Sequence, residues 1–147
     1  MEFIKGMDIS MVKELEYYGA SYRLNGKEED LFHLLHECGT NMVRIRIWPD
    51  PYDEKGNSYG GGGNDLQTTI EIARRTVECG MDFMLDFHYS DFWADPAKQV
   101  KPKAWKELSG QALETAYVRY SQDIKKSEAC TSNGSGRKRD YKGTALA

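Results

Sequence analysis

Two periodicities alternate along the first 126 residues. Apolar positions recur at helical spacing in about 27–38 (Leu31, Leu34, Leu35), in about 65–79 (Leu66, Ile70, Ala73, Val77) and in about 109–126 (Leu113, Ala116, Tyr117, Tyr120, Ile124). Runs rich in β-formers lie at about 3–9, 41–48 and 82–88. Glu28, Glu29 and Asp30 fall in the expected first turn of the first helix, where the helix dipole favours anions. Asn64 is a candidate cap for the second. Strand and helix alternate three times, the pattern of an α/β fold with a parallel sheet.

A weak internal repeat supports this order. Glu37-Cys38-Gly39 followed by Thr40 to Val43 is echoed by Glu78-Cys79-Gly80 followed by Met81 to Met84. In each copy a helix ends at a glycine that can take a left-handed conformation, and a strand follows at once. The connections are asymmetric: helix-to-strand links are one or two residues, whereas the strand-to-helix links at about 10–26, 49–64 and 89–108 are long and hold the unusual residues. A (β/α)8 barrel carries its active site on such loops. A doubly wound sheet would also place ligands there, but the first of these loops has no GxGxxG fingerprint. The fold class expected is α/β, comprising the N-terminal three βα units of a (β/α)8 TIM barrel, truncated, since 147 residues cannot supply eight units.

Composition sharpens the domain picture. Residues 1–126 hold all three tryptophans and every periodic segment, whereas 127–147 has only Tyr141 and Leu146 as large apolar residues. The expected division is a partial barrel, 1–126, and a disordered tail, 127–147. A net charge of −3 gives no electrostatic ground for nucleic acid or an anionic membrane as partner. No apolar run approaches the roughly 20 residues of a membrane span, and the N-terminus as written shows no secretory h-region. Three cysteines without a CxxC pair point to reduced thiols rather than a disulfide framework or a zinc site.

Candidate chemistry lies at the strand ends. Arg44 and Arg46 share one face of the second strand. Two guanidiniums there need partners, either as ion pairs to Asp8 or Asp86 or, for Arg46, in a substrate site. Asp86 and His88 share a face of the third strand, with Tyr89, Asp91 and Trp93 close behind. His88 with Asp86, Asp91 and Asp95 has no zinc-like spacing, so no metal or cofactor is expected. Trp48, Trp93 and Trp105 suit either stacking on sugar rings or packing at the sheet rim. The glycine run 60–63 lacks the lysine and serine of a P-loop and is read as a tight turn.

Several blocks together resemble glycoside hydrolase family 53: Gly6-Met7-Asp8-Ile9-Ser10, Val43 to Trp48 followed by Pro49 and Pro51, Gly61 to Leu66, and above all Leu85-Asp86-Phe87-His88-Tyr89-Ser90-Asp91-Phe92-Trp93-Ala94-Asp95-Pro96 with Gln99, Pro102, Ala104 and Trp105. The resemblance covers about residues 3–126. It implies a (β/α)8 barrel and endo-hydrolysis of β-1,4-galactosidic linkages in arabinogalactan by a retaining mechanism with two glutamates, one in an Asn-Glu pair ending strand four and one ending strand seven. Neither glutamate is matched here, so no catalytic residue is assigned and the chain alone is expected to be inactive. The substrate-binding residues implied are Asp8, Arg46, His88, Asp91 and Trp93, and the partner implied is galactan or galacto-oligosaccharide. The family usually acts outside the cell, which the N-terminus as written does not match.

The tail has a second reading. With allowed codons for Thr131 to Ala147, a frame displaced by one nucleotide spells a strand-like run ending in Gly-Asn-Glu, its glutamate codon spanning those of Arg139 and Asp140. The tail is therefore expected to be a frameshifted fourth strand, and the basic cluster Arg137-Lys138-Arg139 is not read as a nucleic-acid patch. The alternative to an enzyme is a non-catalytic remnant that binds carbohydrate or another partner through its aromatic loops.

Overall fold

The computed structural model describes residues 3–127. In chain order it runs β1 (Gly6–Asp8), α1 (Val12–Tyr17), β2 (Tyr22–Leu24), β3 (Lys27–Glu29), α2 (Leu31–Glu37), β4 (Met42–Ile47), α3 (Leu66–Glu78), β5 (Asp82–Phe87), a 3-10 turn (Lys103–Trp105) and α4 (Gly110–Lys126). Strands β1, β4 and β5 form a parallel sheet in that order. The expected α/β class with a parallel sheet is what the chain adopts. The disordered tail, its shifted frame and its basic cluster all concern residues beyond 127, outside the described part.

The register explains the internal repeat. Cys38 and Cys79 cap α2 and α3 at their C-termini, and the glycines after them have φ of 87° and 79°. Met42 then pairs with Asp82, so the two copies lie side by side in the sheet. Alternation on β4 sends Val43 and Ile45 into a buried cluster with Val12, Phe32, Leu35, Ile72 and Met81, while Arg44 and Arg46 take the opposite face.

Four expectations need correction. Residues 27–29 are not the start of a helix. They form β3 of an antiparallel hairpin with β2, and α2 begins only after Asp30, whose carboxylate accepts the backbone N–H of Phe32 at 2.9 Å. The signal was present: Asn25 and Gly26 have φ of 52° and 80°, and an Asn-Gly pair suits a two-residue hairpin turn. The cap of α3 is Asp65, which accepts from Thr68 N at 2.8 Å, while Asn64 is buried and donates instead to the Ser10 carbonyl at 2.7 Å. The innermost residues of α3 are Thr69, Ile72, Ala73 and Thr76, with Leu66, Ile70 and Val77 only half-buried. Thr76 can be buried because its hydroxyl donates to the Ile72 carbonyl at 2.8 Å. In α4 only Ile124 of the expected stripe is fully buried.

One ion cluster ties the outer helices together. The Arg75 guanidinium on α3 donates to Glu16 at 2.9 and 2.7 Å and to Asp30 at 2.7 Å, and lies 4.1 Å from the centre of the Phe32 ring. Its hydrogen bonds to Glu16 outweigh burial and raise its pKa further.

Candidate functional site

At the C-terminal ends of the three parallel strands the polar side chains form one connected row. Arg44 is the hub. One arm of its guanidinium pairs with Asp8 on β1 and the other with Asp86 on β5. This is the ion-pair reading of Arg44, and the register makes it possible by setting Asp8 opposite Arg44 and Arg46 opposite Asp86. Burial raises the Asp8 carboxyl, but hydrogen bonds from Ser10 and the charges of Arg46 and Arg44 prevail and hold it below the ordinary carboxylate range. Asp86 is held low mainly by its hydrogen bond with His88, against burial and with help from Arg44. Both aspartates are therefore ionised at neutral pH.

Arg46 is more enclosed than Arg44, its side chain being 11% exposed against 40%. The Ser10 hydroxyl oxygen accepts from Arg46 N at 3.0 Å and from Arg46 Nε at 3.1 Å, and donates to Asp8 at 2.7 Å. Over the guanidinium lies Trp93, with its ring centre 3.9 Å from Arg46 Cζ. His88 Nε2 is 3.2 Å from Asp86 Oδ2. The imidazole stands edge-on to Trp48 at 5.9 Å, and Trp48 meets Trp93 at the same separation. Four of the five predicted site residues, Asp8, Arg46, His88 and Trp93, are thus joined through direct contacts or through one intermediary.

Asp91 is placed differently. Its two carboxylate oxygens accept the backbone N–H groups of Asp50 at 3.1 Å and Lys103 at 2.7 Å, tying together the loops that follow β4 and β5. The tryptophans divide as well. Trp48 is fully buried, and Trp105 packs on Tyr117 and Tyr120 at 5.0 and 5.7 Å, so both are packing residues at the rim. Trp93 keeps 42% of its surface exposed and is the ring available to a ligand. Tyr89, also exposed at the rim, bonds Ser121 at 2.9 Å.

Sequence reasoning missed two participants. Ser10 ends one of the family-like blocks without an implied role, and only the approach of β1 to β4 reveals its hydroxyl as an acceptor for Arg46. The glycine run predicts a tight turn, and all four residues do have positive φ. They also pack directly against the site: a Cβ added to Gly61 would stand 3.0 Å from Trp93 Nε1 and 3.3 Å from Trp48, and one on Gly62 would collide with the Ser10 carbonyl oxygen.

Among the described residues no group of three or more His, Cys, Asp or Glu side chains is arranged to hold a metal ion. No described helix is long and apolar enough to cross a membrane. The arrangement offers guanidinium donors, an imidazole and an aromatic face, the groups that orient a polar, ring-shaped ligand such as a sugar.

Comparison with known proteins bears on the same stretch. The sequence profile of glycosyl hydrolase family 53 matches residues 4–132. Over 122 residues the chain is 52% identical to the endo-beta-1,4-galactanase of Bacillus subtilis (strain 168), covering 82% of this chain and 28% of that protein. It is 38% identical to the arabinogalactan endo-beta-1,4-galactanase of Cellvibrio japonicus (strain Ueda107), covering 82% of this chain and 31% of that one. The solved GH53 catalytic domain of Ignisphaera aggregans superposes with a TM-score of 0.80 at 44% identity, covering 83% of this chain and 34% of that chain. The chain therefore spans about 30% of the length of these curated relatives.

Proposed function

The chain belongs to glycosyl hydrolase family 53, and from that premise we propose that it forms the first three βα units of a (β/α)8 barrel that hydrolyses internal β-1,4-galactosidic linkages in arabinogalactan or pectic galactan. The observation that carries this reading is the row Arg46, Asp8, Arg44, Asp86, His88 at the strand ends, with Trp93 stacked on Arg46. Active sites of such barrels sit at that end.

The chemistry proposed is retaining hydrolysis. It needs two carboxyl groups about 5–5.5 Å apart, one protonating the leaving oxygen and the other attacking the anomeric carbon. Asp8 and Asp86 do not suit these roles. Both are ion-paired to Arg44 and held ionised, so neither is a proton donor at neutral pH, and neither is free to attack. In this reading the two glutamates belong to the fourth and seventh barrel strands, and the described residues bind and orient galactan. Arg46 donates hydrogen bonds, Trp93 covers a sugar face, His88 lines the rim beside them, Asp8 and Asp91 hold the donors and loops in place, and the 147-residue chain alone does not turn over.

Titration of the purified chain with β-1,4-galactotetraose, followed by NMR, tests this. The expected result is perturbation of Trp93 and Arg46 signals with no release of reducing sugar. Absence of any perturbation would reject the substrate-site reading. Release of reducing sugar would reject the assignment of both carboxylates elsewhere. The exposed Trp93 also supports a second reading, a remnant that binds galactan without catalysis. A complete family 53 domain carrying this sequence separates the two, since only the enzyme reading expects it to cleave galactan.

A further inference from the structure

A closed circuit of contacts surrounds Arg46. Beneath the guanidinium, the buried Ser10 hydroxyl accepts hydrogen bonds from both the main-chain N–H and the Nε–H of Arg46 and donates one to Asp8. Above it lies the Trp93 ring. Behind Trp93 stands Gly61, so close that a side chain there would press on the indole nitrogen. The next residue, Gly62, closes the circuit, since its α-carbon abuts the Ser10 carbonyl oxygen and leaves no room for a Cβ. Two further bonds pin this loop to the start of α1: Glu14 accepts the Gly62 N–H at 2.6 Å, and Asn64 donates to the Ser10 carbonyl at 2.7 Å.

We propose that Ser10 and the Gly61–Gly62 pair are positioning residues for Arg46, clamping its guanidinium between a hydroxyl acceptor and the Trp93 face so that its Nη1 hydrogens are presented to a sugar hydroxyl. The clamp rests on the galactan-binding reading for its purpose, but its geometry stands independently. An arginine side chain carries large rotamer entropy, and fixing it before a ligand arrives removes that cost from binding. Nε and Nη2 face Ser10 and Asp8, and among the described residues no acceptor takes Nη1. The glycines are required for space as much as for backbone conformation. With φ of 70° and 105° they sit where L side chains are strained, and a Cβ on either would open the circuit on one side.

The test is the Arg46 Nε–H resonance of the isotopically labelled 147-residue chain in cold, mildly acidic buffer. A side chain clamped in this way gives a slowly exchanging Nε–H shifted upfield by the Trp93 ring current. Ser10→Ala is expected to abolish the protection in a protein whose backbone amide dispersion is unchanged, and Ser10→Thr, which keeps the hydroxyl, to restore it. Gly61→Ala is expected to move the resonance out of its upfield position, by displacing Trp93, while leaving the protection from Ser10 in place. A freely exchanging Nε–H in the unmodified chain overturns the proposal outright, even if Ser10→Ala does not fold. An unchanged resonance in folded Ser10→Ala removes Ser10 from the clamp, and an unchanged resonance in Gly61→Ala removes the glycine loop. Galactotetraose that leaves the Arg46 signal unmoved, in a chain where the clamp signature is present, rejects the substrate-site reading and not the clamp.

Discussion

On one face of β4, Val43, Ile45 and Ile47 are completely buried; on the other, one residue along each time, Arg44 and Arg46 stand among Asp8, Asp86 and Ser10. The apolar face is held by burial, which asks only for volume and hydrophobicity. The charged face is held by pairing, which asks for particular partners at particular distances. An error on the first face lowers stability without regard to function. An error on the second misplaces donors and leaves half-buried charges without partners. The contrast shows how one six-residue strand serves both as the centre of a core and as the floor of a site.

The largest effect is expected from breaking the apolar face. Ile45→Ala creates a cavity at a fully buried position and is expected to cost about 2–5 kcal/mol. Denaturant unfolding of the chain measures it, and a loss under about 1 kcal/mol would mean that the site collapses easily.

On the charged face, Arg46→Ala and His88→Ala in a complete family 53 domain carrying this sequence are each expected to lower kcat/KM by roughly 10²-fold, the scale of losing one charge-stabilising group in an enclosed site. Unchanged kinetics in both variants would reduce the pair to structural roles.

Acid titration probes the same face as a unit. Asp8 and Asp86 have folded-state pKa values below the ordinary carboxylate value of about 4. Their charged forms therefore stabilise the fold above that value, and this contribution is lost as pH falls through the lower folded values. Thermal stability is expected to hold near pH 5–7 and to fall steadily below about pH 4, with Asp8→Asn showing a shallower fall. Stability that increases on acidification below pH 4 would contradict the pairing.

The smallest effect is expected away from both faces. Arg119 and Asp123 on α4 form an exposed i,i+4 pair at 3.8 Å. Arg119→Ala is expected to change stability by no more than about 0.5 kcal/mol, and a larger change in the same unfolding assay would show that this exposed pair contributes beyond the usual surface scale.

Legibility in the sequence followed the same division. Periodicity located β4, β5, α3 and α4, and the Cys-Gly repeat marked where a helix gives way to a strand in each copy. It failed at 27–29, where three charged residues looked like a helix start and the Asn25-Gly26 turn made a hairpin instead. It also failed within α3, where Thr69 and Thr76 are more deeply buried than Leu66 or Val77. A sequence pattern counts apolarity, and Thr76, whose hydroxyl donates to the Ile72 carbonyl of its own helix, is apolar enough to be buried.

By itself the sequence determined the alternation of strand and helix and the placing of Asp8, Arg46 and His88 at strand ends, with Trp93 in the loop that follows. Each of these depends on local spacing, which a chain carries with it before it folds. Only the tertiary structure decided that Arg44 rather than Arg46 bridges both aspartates, that Asp91 ties loops, that Trp48 is core while Trp93 is surface, and that Ser10 and Gly61 close upon Arg46. Most of these are contacts between residues some 30 to 50 positions apart in sequence, such as Ser10 with Arg46 and Gly61 with Trp93. They are fixed by strand register and by which loops meet, and neither is written in the spacing of any one segment.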